Sequence, residues 1–357
     1  MINFTVGPVQ CEKNIRDICA EQVPYFRTEE FSNTMFENEA LVKKFMGASE
    51  GYKTVFITGS GTASMESVVA NLLTKEDKAI IVNGGSFGQR FVELCNLYSV
   101  DNDEIKLDVG EPLTEEHLKR IKPEEYTAFI VNLHETSTGV LYDIDLISEF
   151  CKKNGLFLIV DAISAFLADY VSMSEHNIDA MITGSQKALA CQPGISIITM
   201  SERAVNRAYE NEPKCMYLSL KEALENAKRG QTPFTPAVGI LRQINVRLKS
   251  IEQNGGVQSE IEKTKARAEY FRNGIADLPF EMITSSPSNA VTSLHPINAS
   301  AFEIFLKLKD NYNIWICPNG GALKDEVLRV GHIGDLSTDD YDKLINAFKD
   351  LMSKGEL

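Results

Sequence analysis

Short apolar runs alternate with longer amphipathic stretches along the chain from about Thr54 onward. This alternation is typical of a chain in which helices cross over between the strands of one mostly parallel sheet. Several runs are continuously apolar, which indicates strands that are covered by helices on both faces. The pattern therefore predicts a three-layer α/β domain around a mostly parallel seven-stranded sheet. The seven predicted strands are residues 54–57, 79–82, 105–107, 128–133, 157–160, 180–183 and 195–199.

The pattern of apolar and polar residues changes after Pro236. A long amphipathic stretch over 256–278 precedes strand-like pieces at 281–283, 291–294 and 314–316. Ser337 is followed by two acids and by apolar residues at helical spacing, which predicts a capped terminal helix. The pattern favours a smaller α+β domain at the C-terminal end. We expect a large domain over 12–240 and a small domain over 241–357, joined by an N-terminal segment 1–11, with a cleft between the two domains.

Composition and charge exclude several function classes. The chain has 357 residues and a formal net charge of −14, and an acidic surface repels nucleic-acid backbones and anionic lipids. No apolar run approaches the length of a membrane span, and the first residues do not resemble an export signal. The seven cysteines are scattered and odd in number, so neither a disulfide framework nor a zinc site is predicted. A cytoplasmic location is expected.

A glycine-rich turn follows the first predicted strand. It reads Thr58-Gly59-Ser60-Gly61-Thr62 and leads into a helical stretch over 65–73. Backbone N–H groups at a helix start, together with hydroxyls, make a site suited to phosphate. The turn lacks the lysine of a Walker A loop and the third glycine of a dinucleotide fingerprint, which favours a single phosphate over a nucleotide. A turn that merely joins a strand to its helix is an equally good interpretation.

Two ionisable residues follow later strands at the same edge of the sheet. Asp161 comes directly after the run 157–160, and Lys187 comes shortly after the run 180–183. Because ligands of open α/β sheets bind beyond the carboxyl ends of the strands, these residues and the phosphate loop can meet there. A pyridoxal phosphate enzyme requires such a set: a lysine for the Schiff base, a carboxylate for the pyridine nitrogen and a loop for the phosphate. Read singly, Asp161 is also a candidate N-cap and Lys187 a candidate surface charge.

A fourth segment with candidate chemistry follows the run 128–133. It reads His134-Glu135-Thr136-Ser137-Thr138-Gly139. Its hydroxyls and carboxylate could contact ring substituents or the substrate amine. A lone histidine such as His134 is more often structural than catalytic.

Eight short motifs occur in order along the chain: 5–8 (TVGP), 59–66 (GSGTASME), 83–90 (NGGSFGQR), 134–139 (HETSTG), 160–164 (VDAIS), 185–187 (SQK), 232–236 (TPFTP) and 328–334 (LRVGHIG). In this order and at these spacings the sequence resembles the class V, fold-type I pyridoxal phosphate aminotransferases. It is similar in particular to the branch that holds 2-aminoethylphosphonate:pyruvate and alanine or serine:glyoxylate transaminases. The resemblance covers nearly the whole chain.

The resemblance implies a role for each matched residue. It makes Lys187 the Schiff-base lysine and Asp161 the partner of the pyridinium nitrogen. The aromatic ring that stacks on the cofactor corresponds to Phe87, and Thr136 corresponds to a residue that hydrogen-bonds near the ring. The phosphate is expected to be held by Ser60, Gly61, Thr62 and Gln186.

The resemblance also implies the substrate contacts and the assembly. Arg329 corresponds to the arginine that binds the α-carboxylate of the donor and of the keto acceptor, and Gly7 belongs to a turn that closes over the pocket. Thr235 corresponds to a residue that reaches the phosphate of the other subunit, so a homodimer with shared sites is expected. The expected activity is ping-pong transfer of an amino group from a small amino acid or aminophosphonate to pyruvate or glyoxylate.

Other interpretations stay open at the level of sequence. Pro233 replaces an arginine of the phosphonate branch, and Arg27 is a candidate either for binding a distal substrate anion or for a surface salt bridge. A lyase or cysteine desulfurase-like enzyme of the same fold would use a reactive cysteine, for which Cys317 is the candidate, although its apolar context favours a structural role. A non-catalytic pyridoxal phosphate-binding regulator is the third possibility.

Overall fold

The computed structural model describes all 357 residues of the chain. The helices are α1 (Lys13–Asp17), α2 (Glu29–Phe45), α3 (Gly61–Leu72), α4 (Ser86–Leu97), α5 (Glu115–Lys119), α6 (Ile144–Asn154), α7 (Glu202–Glu210), α8 (Leu220–Ala227), α9 (Val238–Gln253), α10 (Gly256–Gly274), α11 (Ala301–Tyr312) and α12 (Thr338–Ser353). The strands are β1 (Ile2–Asn3), β2 (Lys53–Thr58), β3 (Lys78–Asn83), β4 (Asp101–Lys106), β5 (Ala128–Asn132), β6 (His134–Glu135), β7 (Val140–Leu141), β8 (Phe157–Asp161), β9 (Ala180–Gly184), β10 (Ile195–Met200), β11 (Phe280–Met282), β12 (Val291–Pro296), β13 (Ile314–Trp315), β14 (Cys317–Pro318) and β15 (Leu328–Gly331).

The large sheet has seven strands in the order β2-β10-β9-β8-β5-β3-β4. Only β10 runs antiparallel to its neighbours, which confirms the mostly parallel seven-stranded sheet. β5, β8 and β9 are buried along their whole length, as their continuous apolar runs predicted. The third strand differs most from its prediction of 105–107, because β4 starts at Asp101. It is an edge strand whose first four residues are exposed or half-buried, so it carries little apolar signal.

The C-terminal part is built on a four-stranded antiparallel sheet in the order β11-β12-β15-β14. Helix α10 ends at Gly274, a few residues before the predicted end at 278. Helix α12 begins with the predicted cap: the Ser337 side chain accepts from the N–H of Asp340, whose carboxylate accepts in return from the Ser337 N–H.

Two buried apolar clusters pack against the large sheet, and a third lies between the small sheet, α10, α11 and α12. The predicted domain boundary between residues 240 and 241 lies inside α9. This helix packs on α2, where the Asn38 side chain donates to the Leu241 carbonyl. We therefore propose that the large domain extends to the end of α9. No helix of the chain is both long and apolar enough to cross a bilayer.

Candidate active site

The glycine-rich turn forms the junction between β2 and α3. Helix α3 begins at Gly61, earlier than the predicted 65, and Ser60 is its N-cap. The Ser60 side chain makes no capping hydrogen bond, so its hydroxyl and the first N–H groups of α3 are available to an anion. A Cβ added to Gly61 would lie 2.5 Å from Ile163 Cδ1, so the turn is packed closely against the segment that follows β8.

Asp161 is the last residue of β8 and is 5% exposed. One carboxylate oxygen accepts from the Ile163 N–H at 2.8 Å, the local bond that an N-cap interpretation expects, and the carboxylate accepts no other hydrogen bond from the chain. Burial raises the pKa of Asp161 to about 7, although the Ile163 N–H and the Lys187 charge oppose this shift. A buried carboxylate with no cation in direct contact is suited to a cationic ligand group such as a protonated pyridine nitrogen.

Lys187 lies beyond the end of β9 and is 9% exposed, so it is not a solvated surface charge. Its Nζ donates to the Val6 carbonyl at 2.7 Å. Burial lowers the pKa of Lys187 to about 8, and the nearby Arg329 charge acts in the same direction, whereas Cys317 and Asp161 oppose it. A buried lysine with a lowered pKa has a substantial fraction of neutral, nucleophilic amine near neutral pH.

The N-terminal segment closes over Lys187. Gly7 has a backbone φ of +139°, and a Cβ there would lie 2.8 Å from Lys187 Cδ. Any other residue at this position would therefore strain the backbone and force the Lys187 side chain to move. The neighbouring Gln186 has a buried Oε1 without a hydrogen-bond partner, while its backbone carbonyl accepts from the Val9 N–H. The unused Oε1 is an acceptor and suits a donor group of a ligand, so a phosphate contact of Gln186 has to come from its amide NH2.

The residues that follow β5, starting at His134, differ in their contacts and burial. Thr136 Oγ1 and Ser164 Oγ lie 2.7 Å apart. The Glu135 carboxylate accepts from the N–H groups of Phe87 and Gly88, so it holds the start of α4 and is not free to contact a ring or a substrate amine as expected. His134 is buried and neither ring nitrogen has a partner. Burial lowers the pKa of His134 to about 3, with Lys187 as the next cause, so the ring is neutral and is not an acid catalyst at ordinary pH.

Arg329 reaches the site from β15 of the small sheet. One of its terminal nitrogens donates to the Thr136 carbonyl at 2.9 Å and the other to the Pro318 carbonyl at 2.7 Å, while Nε has no partner. The side chain is 9% exposed and no carboxylate of the chain lies within ion-pair distance. A buried guanidinium without a counter-charge is costly to maintain, and it is stabilised when an anionic ligand binds.

Three further residues are placed as follows. Cys317 stands opposite Arg329 in the register of β14 and β15, and it is partly buried. Thr235 is exposed, and its hydroxyl has no partner within the chain. The Arg27 guanidinium donates to the side chain of Gln231 and to the carbonyls of Thr232 and Pro233, and it forms no salt bridge within the chain. Its contact with a distal substrate anion stays a prediction.

The sequence model of the class-V aminotransferases matches residues 24–317. This chain belongs to the class-V aminotransferase family. An uncharacterized aminotransferase from Methanocaldococcus jannaschii is 32% identical over 340 residues, which is 92% of this chain and 86% of that protein. A 2-aminoethylphosphonate–pyruvate transaminase from Bacillus mycoides is 24% identical over 359 residues, or 96% of each chain.

Solved structures show the same fold as this class-V aminotransferase. An alanine–glyoxylate aminotransferase from Nostoc superposes with a TM-score of 0.93 at 22% identity, covering 98% of this chain and 95% of that one. A subgroup IV aspartate aminotransferase from Thermus thermophilus superposes with a TM-score of 0.90 at 22% identity over all of both chains. The fold-type I assignment is thereby confirmed.

Class-V aminotransferases use pyridoxal phosphate, and the residues of this chain fit that cofactor. The open α3 start fits a phosphate, the buried Asp161 fits a pyridine nitrogen, and the buried amine of Lys187 fits the cofactor aldehyde. Sequence reasoning gave one neighbour of this set, Glu135, a different role and gave another, Arg90, none. Glu135 fixes the start of α4, and Arg90 on α4 contacts both Thr62 and Phe87.

Proposed function

We propose that this aminotransferase moves an amino group from a small amino acid or aminophosphonate to pyruvate or glyoxylate by a ping-pong mechanism. The observation that carries the proposal is the buried guanidinium of Arg329, which has no carboxylate partner and is close enough to lower the pKa of Lys187. An acid group bound there brings the substrate amine or carbonyl to the lysine.

Arg329 is the proposed receptor for the substrate's acid group. Its guanidinium is planar by delocalisation, and its orientation is fixed by two backbone carbonyls that accept from its terminal nitrogens. A carboxylate or phosphonate is bound more strongly there than in water because the surroundings exclude solvent.

Lys187 is the proposed proton carrier. With a pKa of about 8 the amine exchanges protons readily near neutral pH, as a general base and acid must. It takes a proton from the substrate carbon in one direction and returns one in the other. Bound pyridoxal phosphate supplies the electron sink that makes this carbon acidic.

Asp161 is the proposed partner of the pyridine nitrogen. Its buried carboxylate gains a counter-charge when the nitrogen is protonated, so each group stabilises the charged form of the other. Because the same residues serve donor and acceptor in turn, the two half-reactions use one site, which is the basis of the ping-pong expectation.

The charges of the site favour substrates with a single acid group. Arg329 is a buried guanidinium without a protein counter-charge and is near enough to lower the pKa of Lys187, whereas Arg27 lies against Thr232 and Pro233 and is not among the charges that act on Lys187. Alanine, serine or 2-aminoethylphosphonate are therefore expected to react better than phosphoserine.

The test is a spectroscopic half-reaction with purified holoenzyme and one donor at a time. A productive donor is expected to remove the visible band of the bound cofactor, and pyruvate or glyoxylate is expected to restore it. Initial rates measured with both substrates varied should then give parallel lines in double-reciprocal plots. Arg329→Leu should lower kcat/KM for that donor by roughly 10²- to 10³-fold, because a buried charge partner is lost. Arg120→Leu is the matched control at an exposed arginine.

Three results would contradict the proposal. These are a holoenzyme that no donor of this class converts, an Arg329→Leu variant with unchanged kcat/KM, and release of sulfide or another elimination product from cysteine. The last result would favour the lyase interpretation with Cys317, and complete inertness of a cofactor-loaded protein would favour the regulator interpretation.

We also propose a homodimer in which Thr235 serves the partner's site. Support comes from the exposed hydroxyl of Thr235 and from exposed apolar side chains nearby, with Tyr217 stacked on Phe234 at 5.3 Å and Met216 largely exposed. A cytoplasmic location stays a prediction from the scattered cysteines.

Hybrid dimers test this arrangement. Thr235→Glu places a carboxylate where the partner's phosphate is expected and should abolish cofactor retention by repulsion. When it is co-expressed with Lys187→Ala, a hybrid keeps one site with both Lys187 and Thr235, so about half of the wild-type activity per dimer is expected. If Thr235 instead serves its own chain, the purified hybrid will be as inactive as the two parent dimers.

A further inference from the structure

Arg90 contacts two of the proposed cofactor-binding residues. Its Nη1 donates to Thr62 Oγ1 at 3.2 Å, and its guanidinium carbon lies 5.0 Å from the centre of the Phe87 ring. The hydrogen bond to Thr62 is the only one that its side chain makes within the chain. Its charge is also near enough to Asp161 to favour the ionised carboxylate. Neither the sequence motif nor the proposed mechanism gives this arginine a role.

We infer that Arg90 is a positioning residue for the cofactor, which aims the Thr62 hydroxyl at the phosphate and supports the Phe87 ring that stacks on the pyridine. This inference rests on the proposed roles of Thr62 and Phe87. It goes beyond them because the phosphate loop 58–62 contains no charged residue, and the inference assigns to the phosphate site the positive charge of Arg90, which also fixes the Thr62 hydroxyl and the Phe87 ring in place.

The contact with Thr62 determines how that hydroxyl can act. A hydroxyl that accepts from Arg90 keeps its own hydrogen available, and the Thr62 Oγ1 donates to no protein group. It is therefore free to donate to a phosphate oxygen. The guanidinium behind it also places a positive charge close to the doubly negative phosphate, which adds to the attraction of the α3 N-terminus.

The contact with Phe87 determines how the ring is held. Phe87 and Arg90 are three residues apart on α4, so their side chains share one helical face. The guanidinium lies against the ring, an arrangement that is favourable for a cation and a π-face. The Phe87 N–H is fixed separately by Glu135. Backbone and ring are thus held by different residues, and the ring face turned away from Arg90 is the one that we propose stacks on the pyridine.

The test compares Arg90→Met with Arg120→Met, which removes the same charge from an exposed position. Affinity for pyridoxal phosphate is measured by titrating the cofactor-free protein, and ring orientation is measured from the visible circular dichroism of the bound cofactor. Arg90→Met is expected to weaken cofactor binding by about tenfold or more and to change the dichroism, since a charge-assisted contact and the ring support are both lost. Arg120→Met should match wild type in both measurements.

Arg90→Lys separates the charge and hydrogen bond near Thr62 from the support of the Phe87 ring. Lysine keeps the charge and a donor for Thr62 but has no planar group to lie on Phe87. It should restore the affinity for inorganic phosphate, measured by competition with the cofactor, and leave the dichroism altered. If Arg90→Met does not fold, Arg90→Gln replaces it.

Wild-type cofactor affinity and dichroism in Arg90→Met would overturn the inference. A lower thermal midpoint with unchanged phosphate affinity and dichroism would also overturn it, because Arg90 would then serve only the fold. All of these measurements omit the amino donor, so a protein that binds the cofactor but does not transaminate would refute the proposed function without deciding the role of Arg90.

Discussion

Replacing Lys187 with alanine is expected to lower kcat for transamination by at least about 10³-fold. In its proposed roles Lys187 both attaches the cofactor covalently and carries the proton, and general acid–base catalysis alone typically contributes 10²- to 10⁴-fold. The Nζ of Lys187 also donates to the Val6 carbonyl next to Gly7, so the variant also loses this contact with the N-terminal segment. The measurement is a single-turnover rate with the donor identified by the half-reaction assay.

Two controls separate chemistry from folding in this experiment. Lys152→Ala, at an exposed lysine on α6, should retain the wild-type rate. A small amine such as methylamine, added to Lys187→Ala, should restore part of the proton transfer and raise the rate with increasing amine concentration. Unchanged activity of Lys187→Ala would refute the assignment of the site, and normal folding without amine rescue would refute the proton-transfer role.

The strands of the large sheet could be predicted from sequence because burial on both faces leaves a continuous apolar run, as in β5 and β8. The edge strand β4 could not be placed correctly, since its polar residues face solvent. Asp161 and Lys187 could be predicted as neighbours because both follow strands that end at one edge of the sheet.

Other parts of the site depend on contacts that no local pattern encodes. Arg329 comes from a different sheet, and its approach to Thr136 joins residues 193 positions apart, so only the family resemblance indicated it. From sequence, the Glu135 carboxylate is a candidate contact for ring substituents or the substrate amine, whereas in the structure it accepts from the N–H groups of Phe87 and Gly88 at the start of α4. Arg90 had a usable signal, because a cation three residues after an aromatic residue on a helix shares its face.

Asp161→Asn is expected to lower kcat by roughly 10²-fold or more while it stabilises the cofactor-free protein. In the proposed arrangement the carboxylate is the counter-charge that keeps the pyridine nitrogen protonated, so its loss weakens the electron sink. Asparagine retains an oxygen for the Ile163 N–H, so the local turn should persist. The rate is measured with saturating cofactor, so that weaker binding does not contribute.

The stability effect follows from the pKa of Asp161, which is about 7 in the folded chain against a usual value of 3.8. At a pH between these two pKa values, Asp161 holds its proton more tightly in the folded protein than in the unfolded chain. The free energy of unfolding of the wild type therefore falls as the pH rises through this range. The advantage of Asp161→Asn should be absent below about pH 4, grow up to about pH 7 and stay constant above it, reaching at most about 4 kcal/mol at about 1.4 kcal/mol for each pKa unit.

Denaturant unfolding of the cofactor-free proteins at several pH values measures this difference. Saturation with pyridoxal phosphate should reverse the order of stability at pH 8, because the pyridinium then pairs with the wild-type carboxylate but not with asparagine. An advantage of Asp161→Asn that falls as the pH rises would show that the ionised carboxylate is already paired in the free protein. Asp161 would then be a structural residue, and the cofactor would have to be held protonated by another group.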